Sequence, residues 1–203
     1  MGREWTMQVL GIMGSPRRGS NTELLLDSAL SGAGSRGAET AKIVVSEMEI
    51  RPCLELYHCA LDGTCSIHDD MQQVYDRLAS ADCVVLASPI FFYGLTSQVK
   101  ALVDRCQALW VRRHVLKSWV PDDSVRKGAL IAVGATRGPR LFDGVVLTSR
   151  YFFDAIGVRY ADELLVRGVD GKAQVRDFPS LLDDAVELGR RLVSGDVPVR
   201  RPL

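Results

Sequence analysis

The sequence predicts an α/β domain built on a doubly wound, five-stranded parallel sheet with helices on both faces, and two observations predict it. Five short apolar, β-branched runs recur at 8–13, 41–45, 83–87, 129–133 and 163–166, each too continuously apolar for a strand with one wet face. Segments at 22–35, 69–80, 97–110, 141–156 and 179–193 lie between and after them, with apolar residues returning at helical spacing. That is the βαβ alternation of a parallel sheet covered on both sides.

Each element has its own signal. The first run, Gln-Val-Leu-Gly-Ile-Met, stops at a polar turn. In the segment after it, Leu24, Leu25, Asp27, Ser28 and Leu30 give one apolar and one polar face. Asp69 and Asp70 place acidic groups at a helix N-terminus, and Gly157 follows Ile156 as a C-terminal cap glycine does. There is no internal repeat, low-complexity tract or linker, so residues 1–203 read as one domain, with a cysteine-bearing insertion loop at 50–68 and a Pro- and Arg-rich tail at 197–203.

Composition narrows the function classes. The 203 residues are 47% hydrophobic and 25% charged, as in a globular domain with one substantial core. Lys and Arg together number 25, as do Asp and Glu, so no net field favours nucleic acid or an anionic membrane. No apolar run approaches the roughly 18 to 20 residues that span a bilayer, and no signal-peptide cleavage pattern is present; a cytoplasmic location is expected. Residues 1–6 match the bare myristoylation pattern, which is short enough to be read as coincidence. Five cysteines without an export signal argue against a disulfide framework. Cys83 and Cys106 read as small buried hydrophobes, whereas Cys53, Cys59 and Cys65 cluster in one loop.

The turn Gly14-Ser15-Pro16-Arg17-Arg18-Gly19-Ser20-Asn21-Thr22 carries the strongest functional signal. Backbone N–H groups at a helix start, the helix dipole and the hydroxyls of Ser15, Ser20 and Thr22 make an anion cradle. Ser20 and Asn21 stand where a Walker loop has its lysine and its magnesium-binding hydroxyl, and no G-x-G-x-x-G occurs. A terminal monophosphate, met by N–H groups and Arg17 and Arg18 without a metal, suits it better than ATP or a dinucleotide.

Two further loops fall at the carboxyl ends of strands, where doubly wound sheets bind ligands. Pro89-Ile90-Phe91-Phe92-Tyr93-Gly94 puts three consecutive aromatics in a loop. They would cover a flat heterocycle whose rim the backbone reads, or they pack the top of the core or a subunit interface. Ala135-Thr136-Arg137-Gly138 is small and glycine-flanked, permitting close approach of a ligand, though an ordinary strand-to-helix turn reads the same way.

Together these motifs, with Asp69-Asp70-Met71, Ala81-Asp82, Ser88-Pro89-Ile90 and Lys100-x-x-x-Asp104-Arg105, resemble the NADPH-dependent FMN reductase family of flavodoxin-like proteins, particularly its iron–sulfur flavoprotein branch. The resemblance reaches about Gly138 and implies the strand order 2-1-3-4-5. It further implies that Ser15, Arg17, Ser20, Asn21 and Thr22 bind the FMN phosphate, that Pro89, Ile90, Phe91, Phe92, Tyr93 and Gly94 line the isoalloxazine, and that Ala135, Thr136, Arg137 and Gly138 close the far side. The family is similar in often forming dimers or tetramers, so a homodimer or homotetramer is expected. Trp110, Trp119, Val111, Val115 and Leu116, mixed with Arg112, Arg113 and His114 past a helix end, suit an interface or a buried crossover equally.

The resemblance breaks in the cysteine loop. The iron–sulfur branch resembles C-x-x-C-x-x-C with a fourth cysteine further on, and the register here is Cys53, Leu56, Cys59 and Cys65. A [4Fe–4S] cluster normally needs four thiolates, so either the cluster is absent, or His58 or His68 replaces the missing ligand, or a three-iron species forms; a metal-free loop ranks first, zinc on three cysteines and a histidine second, and a cluster third. His58 and His68 are the substitute donors, and both read as surface residues.

With FMN bound the flavin supplies the redox chemistry, and no catalytic side chain is named; Tyr93 and Arg137 are the candidates to touch a substrate. The expected activity is NAD(P)H-dependent reduction of free flavin, quinone or another small electron acceptor. The alternative is an electron carrier between protein partners, a class commonly acidic where this chain is neutral. Lys100 and Asp104, four residues apart, read as a helix-surface ion pair, with Arg105 on the same helix.

Overall fold

A computed structural model describes residues 6–119, 121 and 125–195; the 197–203 tail and residues 1–5 lie outside that range. Five strands, β1 (Gln8–Met13), β2 (Glu39–Val44), β3 (Cys83–Pro89), β4 (Lys127–Gly134) and β5 (Arg159–Arg167), form one sheet in the order β2-β1-β3-β4-β5. Every neighbouring pair is parallel. The expected order 2-1-3-4-5 is therefore observed, and four strands extend beyond the runs that announced them.

The period-2 alternation of each strand divides the core in two. Leu10, Ile12, Val84, Leu86, Leu130 and Ala132 face one way, against α3 (Met71–Ser80), α4 (Ser97–Arg105) and α6 (Asp143–Ala155). Val9, Met13, Val85, Ala129 and Ile131 face the other, against α1 (Asn21–Gly34) and α7 (Pro179–Ser194). Cys83 and Cys106 are fully buried, as expected, and burial pushes the Cys83 thiol up to about 11.

Helix α1 differs from its expected two-faced form. Residues on most of its circumference, from Asn21 through Ala33, are buried because α7 lies across its outer side. Two glycines allow that approach: a β-carbon on Gly32 would stand 2.0 Å from the Val186 carbonyl oxygen, and one on Gly189 would stand 1.8 Å from that of Ala29. Neither position accepts a larger residue without separating the helices.

The helix expected at 97–110 is also interrupted. α4 ends at Arg105, ψ at Cys106 rises to −1°, and the chain resumes as α5 (Gln107–Trp110) and a π-helical turn at Val111–Val115. Val111 is buried and Trp119 is half-buried against the core, whereas Trp110 and Val115 are exposed. The remaining short helix, α2 (Cys59–Asp62), lies inside the cysteine loop and ends on left-handed Gly63.

Candidate functional site

At the carboxyl edge, the strand order reverses between β1 and β3, and three loops meet around that point. The turn after β1 is anchored from below: Gly14 donates to the Ala87 carbonyl at 2.7 Å and Thr96 Oγ1 donates to the Gly14 carbonyl at 2.8 Å. Ser15 Oγ accepts from the Arg17 N–H at 3.2 Å, tightening the turn. Left-handed Gly19 then delivers the chain into α1, where Ser20 caps the helix by accepting from the Glu23 N–H at 3.2 Å.

Glu23 completes a capping box, a role legible in the Ser-x-x-Glu spacing and missed in the sequence reading. Its carboxylate takes the Gly19 N–H at 2.7 Å, Arg18 at 2.9 Å and Lys42 at 3.1 Å. Burial works against the Glu23 charge, yet the Gly19 N–H, Lys42 and Arg18 together hold the carboxyl below the usual carboxylate range. Arg18 is also forked onto Glu47, both contacts at 2.6 Å, so it is turned to the acidic side of the turn. The Arg17 side chain has no acidic partner among the described residues. The Asn21 side chain is spent on structure, donating to the Gly171 carbonyl at 2.9 Å and accepting from the Val175 N–H at 3.0 Å. The backbone N–H groups of Asn21 and Thr22 point out of the first turn with no acceptor among the described residues.

The loop after β3 is a tight turn. Phe91 and Gly94 exchange N–H···O bonds of 3.0 Å each, with Phe92 (φ 48°) and Tyr93 (φ 63°) left-handed between them. Two aromatic residues in that region carry backbone strain that a glycine would relieve. All three rings are outside the core: Phe91 is 48% exposed, Phe92 105% and Tyr93 56%. The core-packing alternative is thereby removed.

The loop after β4 closes on this turn. Tyr93 Oη lies 3.5 Å from where a side chain on Gly138 would begin. Ala135, Thr136 and Arg137 are exposed, and the Arg137 guanidinium crosses the backbone of left-handed Gly168, 2.6 Å from a β-carbon built there. Pro89 and Ile90 are half-buried, the Ile90 N–H held by the Val133 carbonyl at 2.8 Å.

A fourth segment had no signal in the sequence. The loop 168–175 after β5 is bound to Asn21, and it brings the Lys172 side chain to 3.4 Å from a β-carbon built on Gly19. Nothing in a Gly-Lys dipeptide far down the chain announces proximity to the first turn.

The cysteine loop is hung from one buried residue. The Arg105 side chain, on the same helix as Lys100 and Asp104, is 0% exposed. Its guanidinium pairs with Asp69 at 2.8 Å and donates to the carbonyls of Arg51 and Ile67, each at 2.9 Å, one on either side of the loop neck. Burial pushes the Asp69 carboxyl up, but Arg105, the Arg51 and Met71 N–H groups and the charge of Arg105 outweigh it and hold Asp69 below its ordinary value. Asp69 also accepts from the Met71 N–H at 3.0 Å, capping α3 as expected of the acidic pair, while Asp70 takes the Glu49 N–H instead. Lys100 and Asp104 form the expected exposed ion pair, at 2.7 Å. Cys53 is exposed, Cys59 and Cys65 are half-buried, and all three line a groove of about 650 Å³ with Leu56 and His58. His68 is exposed and contributes its carbonyl to Arg51. Among the described residues, no three His, Cys, Asp or Glu side chains converge as metal ligands.

Comparison with known proteins agrees with this arrangement. An iron–sulfur flavoprotein of Methanosarcina thermophila is 36% identical over 131 residues, 64% of this chain and 65% of that protein. The chain thus spans somewhat under two thirds of that relative. A Bacillus subtilis protein provisionally named an NAD(P)H-dependent FMN-containing oxidoreductase is 25% identical over 177 residues, 86% of this chain and 93% of its own length. Among solved structures, a flavone reductase superposes with TM-score 0.69 at 18% identity, over 93% of this chain and 62% of that one. An NAD(P)H:quinone oxidoreductase from Methanothermobacter marburgensis gives 0.68 at 18%, over 93% and 96%. At such identities the structures bear on the fold alone. The profile of NADPH-dependent FMN reductases matches residues 7–149, the segment that holds the first three loops, and the chain belongs to that family.

Proposed function

We propose that this chain binds FMN at the carboxyl edge of the sheet and acts as an NAD(P)H-dependent oxidoreductase that reduces flavin, quinone or another small electron acceptor. The observation that carries the reading is the strained turn 91–94, which holds three aromatic rings out of the core in the mouth of a doubly wound sheet. The family and the name of the Bacillus relative support the pairing of FMN with NAD(P)H.

The residues fit the group. The N–H groups of Asn21 and Thr22, the hydroxyls of Ser15, Ser20 and Thr22 and Arg17, which has no acidic partner among the described residues, suit a terminal phosphate. Pro89 to Gly94 would line the ring, and Ala135, Thr136, Arg137 and Gly138 would close its far side. When bound, FMN supplies the hydride and electron chemistry. The chain itself positions and encloses. The Gly14 and Ile90 hydrogen bonds set the two loops at fixed height on adjacent strands, and Tyr93 and Arg137 are the side chains a nicotinamide or acceptor would meet.

A homodimer or homotetramer and a cytoplasmic setting complete the proposal. No helix among the described residues is long and apolar enough to cross a membrane. A groove of about 470 Å³ between α4, α5 and α6 is bordered by exposed Trp110, Leu147 and Tyr151, the mix of aromatic and apolar groups that suits a second copy. The name of the archaeal relative raises an iron–sulfur group for the cysteine loop, but the donors present do not fit four irons, because Leu56 stands in the second of the four cysteine positions.

The test is an anaerobic visible spectrum of the FMN-loaded protein with NADPH added, followed by turnover with quinone and flavin acceptors. Flavin bands that bleach with NADPH and recover with acceptor support the reductase. Bands that bleach only with dithionite favour the electron carrier, and failure to retain FMN ends both readings.

A further inference from the structure

We propose that the cysteine loop takes no four-iron cluster and that a single side chain, Leu56, decides this. The groove inside the loop is lined by Cys53, Leu56, Cys59 and Cys65, so the leucine occupies the same wall as the three thiols. It is 61% exposed, and its branched hydrocarbon has no lone pair to offer a metal. Clusters of four irons are normally held by four thiolates, and this loop offers three.

His58 is an alternative donor on the same wall. It is the N-cap of α2 with helical dihedrals, φ −58° and ψ −38°, directly before Cys59. Consecutive helical residues project about 100° apart, so the His58 and Cys59 side chains leave the backbone in different directions.

The neck of the loop is held by side chains of the chain itself. Arg105 pins the carbonyls of Arg51 and Ile67 on the two sides of its neck, and Asp69 locks the guanidinium in place. Glu55 (φ 51°) and Tyr57 (φ 56°) flank Leu56 in left-handed conformations, so the position of residue 56 is set by backbone geometry. A cysteine placed there would complete the four-thiol wall. On the reading of the chain as an FMN reductase, the consequence is that no iron–sulfur relay in this loop stands between the flavin and its acceptor.

Anaerobic reconstitution of the FMN-loaded protein with ferrous iron and sulfide tests this, scored by iron and acid-labile sulfide per chain and by absorption and paramagnetic resonance after reduction. The wild-type protein is expected to retain no stoichiometric iron, Leu56→Cys to retain about four irons and four sulfides, and Leu56→Ala, which offers no donor, to behave as wild type. FMN content and melting temperature are recorded on the same samples, so a lost flavin site, which would sink the reductase reading, is seen separately from the iron result. Three or four irons on the wild-type chain would overturn the proposal, as would a folded Leu56→Cys protein that takes up none.

Discussion

The turn after β1 and the cysteine loop are held in opposite ways. The turn is shaped by one main-chain bond, Gly14 on Ala87, and by the side chains of Thr96, Ser20 and Glu23 bonded to its backbone, and the donors it leaves to face a ligand are main-chain N–H groups of α1. The cysteine loop is suspended from one buried guanidinium, and what it can bind depends on four side chains along its wall. A site made by backbone geometry tolerates changes in side chains around it. A site made by side-chain donors changes its chemistry with one substitution, as Leu56 illustrates.

Breaking the suspension has the largest expected effect. Arg105→Met removes the buried partner of Asp69, leaving it the Arg51 and Met71 N–H groups and the Arg51 guanidinium at 3.8 Å, and frees both neck carbonyls; this is expected to lower unfolding free energy by about 3 kcal/mol, measured by urea denaturation. The acid limb sharpens the same point. Asp69 is held below its ordinary value, so its contribution is complete above the unfolded aspartate pKa of about 3.9 and is lost as pH falls through the lower folded value. Stability of the wild type is therefore expected to decline steeply below about pH 4, and that part of the decline should be smaller in Arg105→Met.

The aromatic turn separates strain from binding. Phe92→Gly removes a non-glycine residue at φ 48° and is expected to stabilise the flavin-free protein by about 1 kcal/mol while weakening FMN binding about tenfold through the lost ring. Thermal melts without flavin and fluorescence titration with FMN read the two effects; a flavin affinity unchanged by the substitution would show that Phe92 covers something else. Ser20→Ala removes the α1 cap and should cost about 1 kcal/mol, with a smaller effect on FMN affinity because the donors facing the phosphate are backbone groups. Lys100→Ala, next to the Arg105 clamp on α4, breaks only an exposed pair and should alter stability by no more than about 0.5 kcal/mol. A large loss there would mean that the exposed side of α4 is covered, by a second copy or otherwise.

Much of this arrangement is local and therefore legible in the chain. Apolar periodicity, the Ser-x-x-Glu cap, the glycine-bearing turn and the row of three aromatics are each written over a few consecutive residues, and the forces behind them act over the same distance. The strand order followed from the resemblance those motifs carry. Residues whose roles depend on distant partners could not be read this way. Arg105 looks like any basic residue at a helix end until Asp69, Arg51 and Ile67 are seen around it, and Asn21 looks like a phosphate ligand until Gly171 and Val175 claim its side chain. Lys172 reaches the first turn only because α1 and the loop after β5 meet across some 150 residues of chain. Burial, charge pairing and the spending of a hydrogen bond are properties of neighbours in space, and only the folded chain says which neighbours those are.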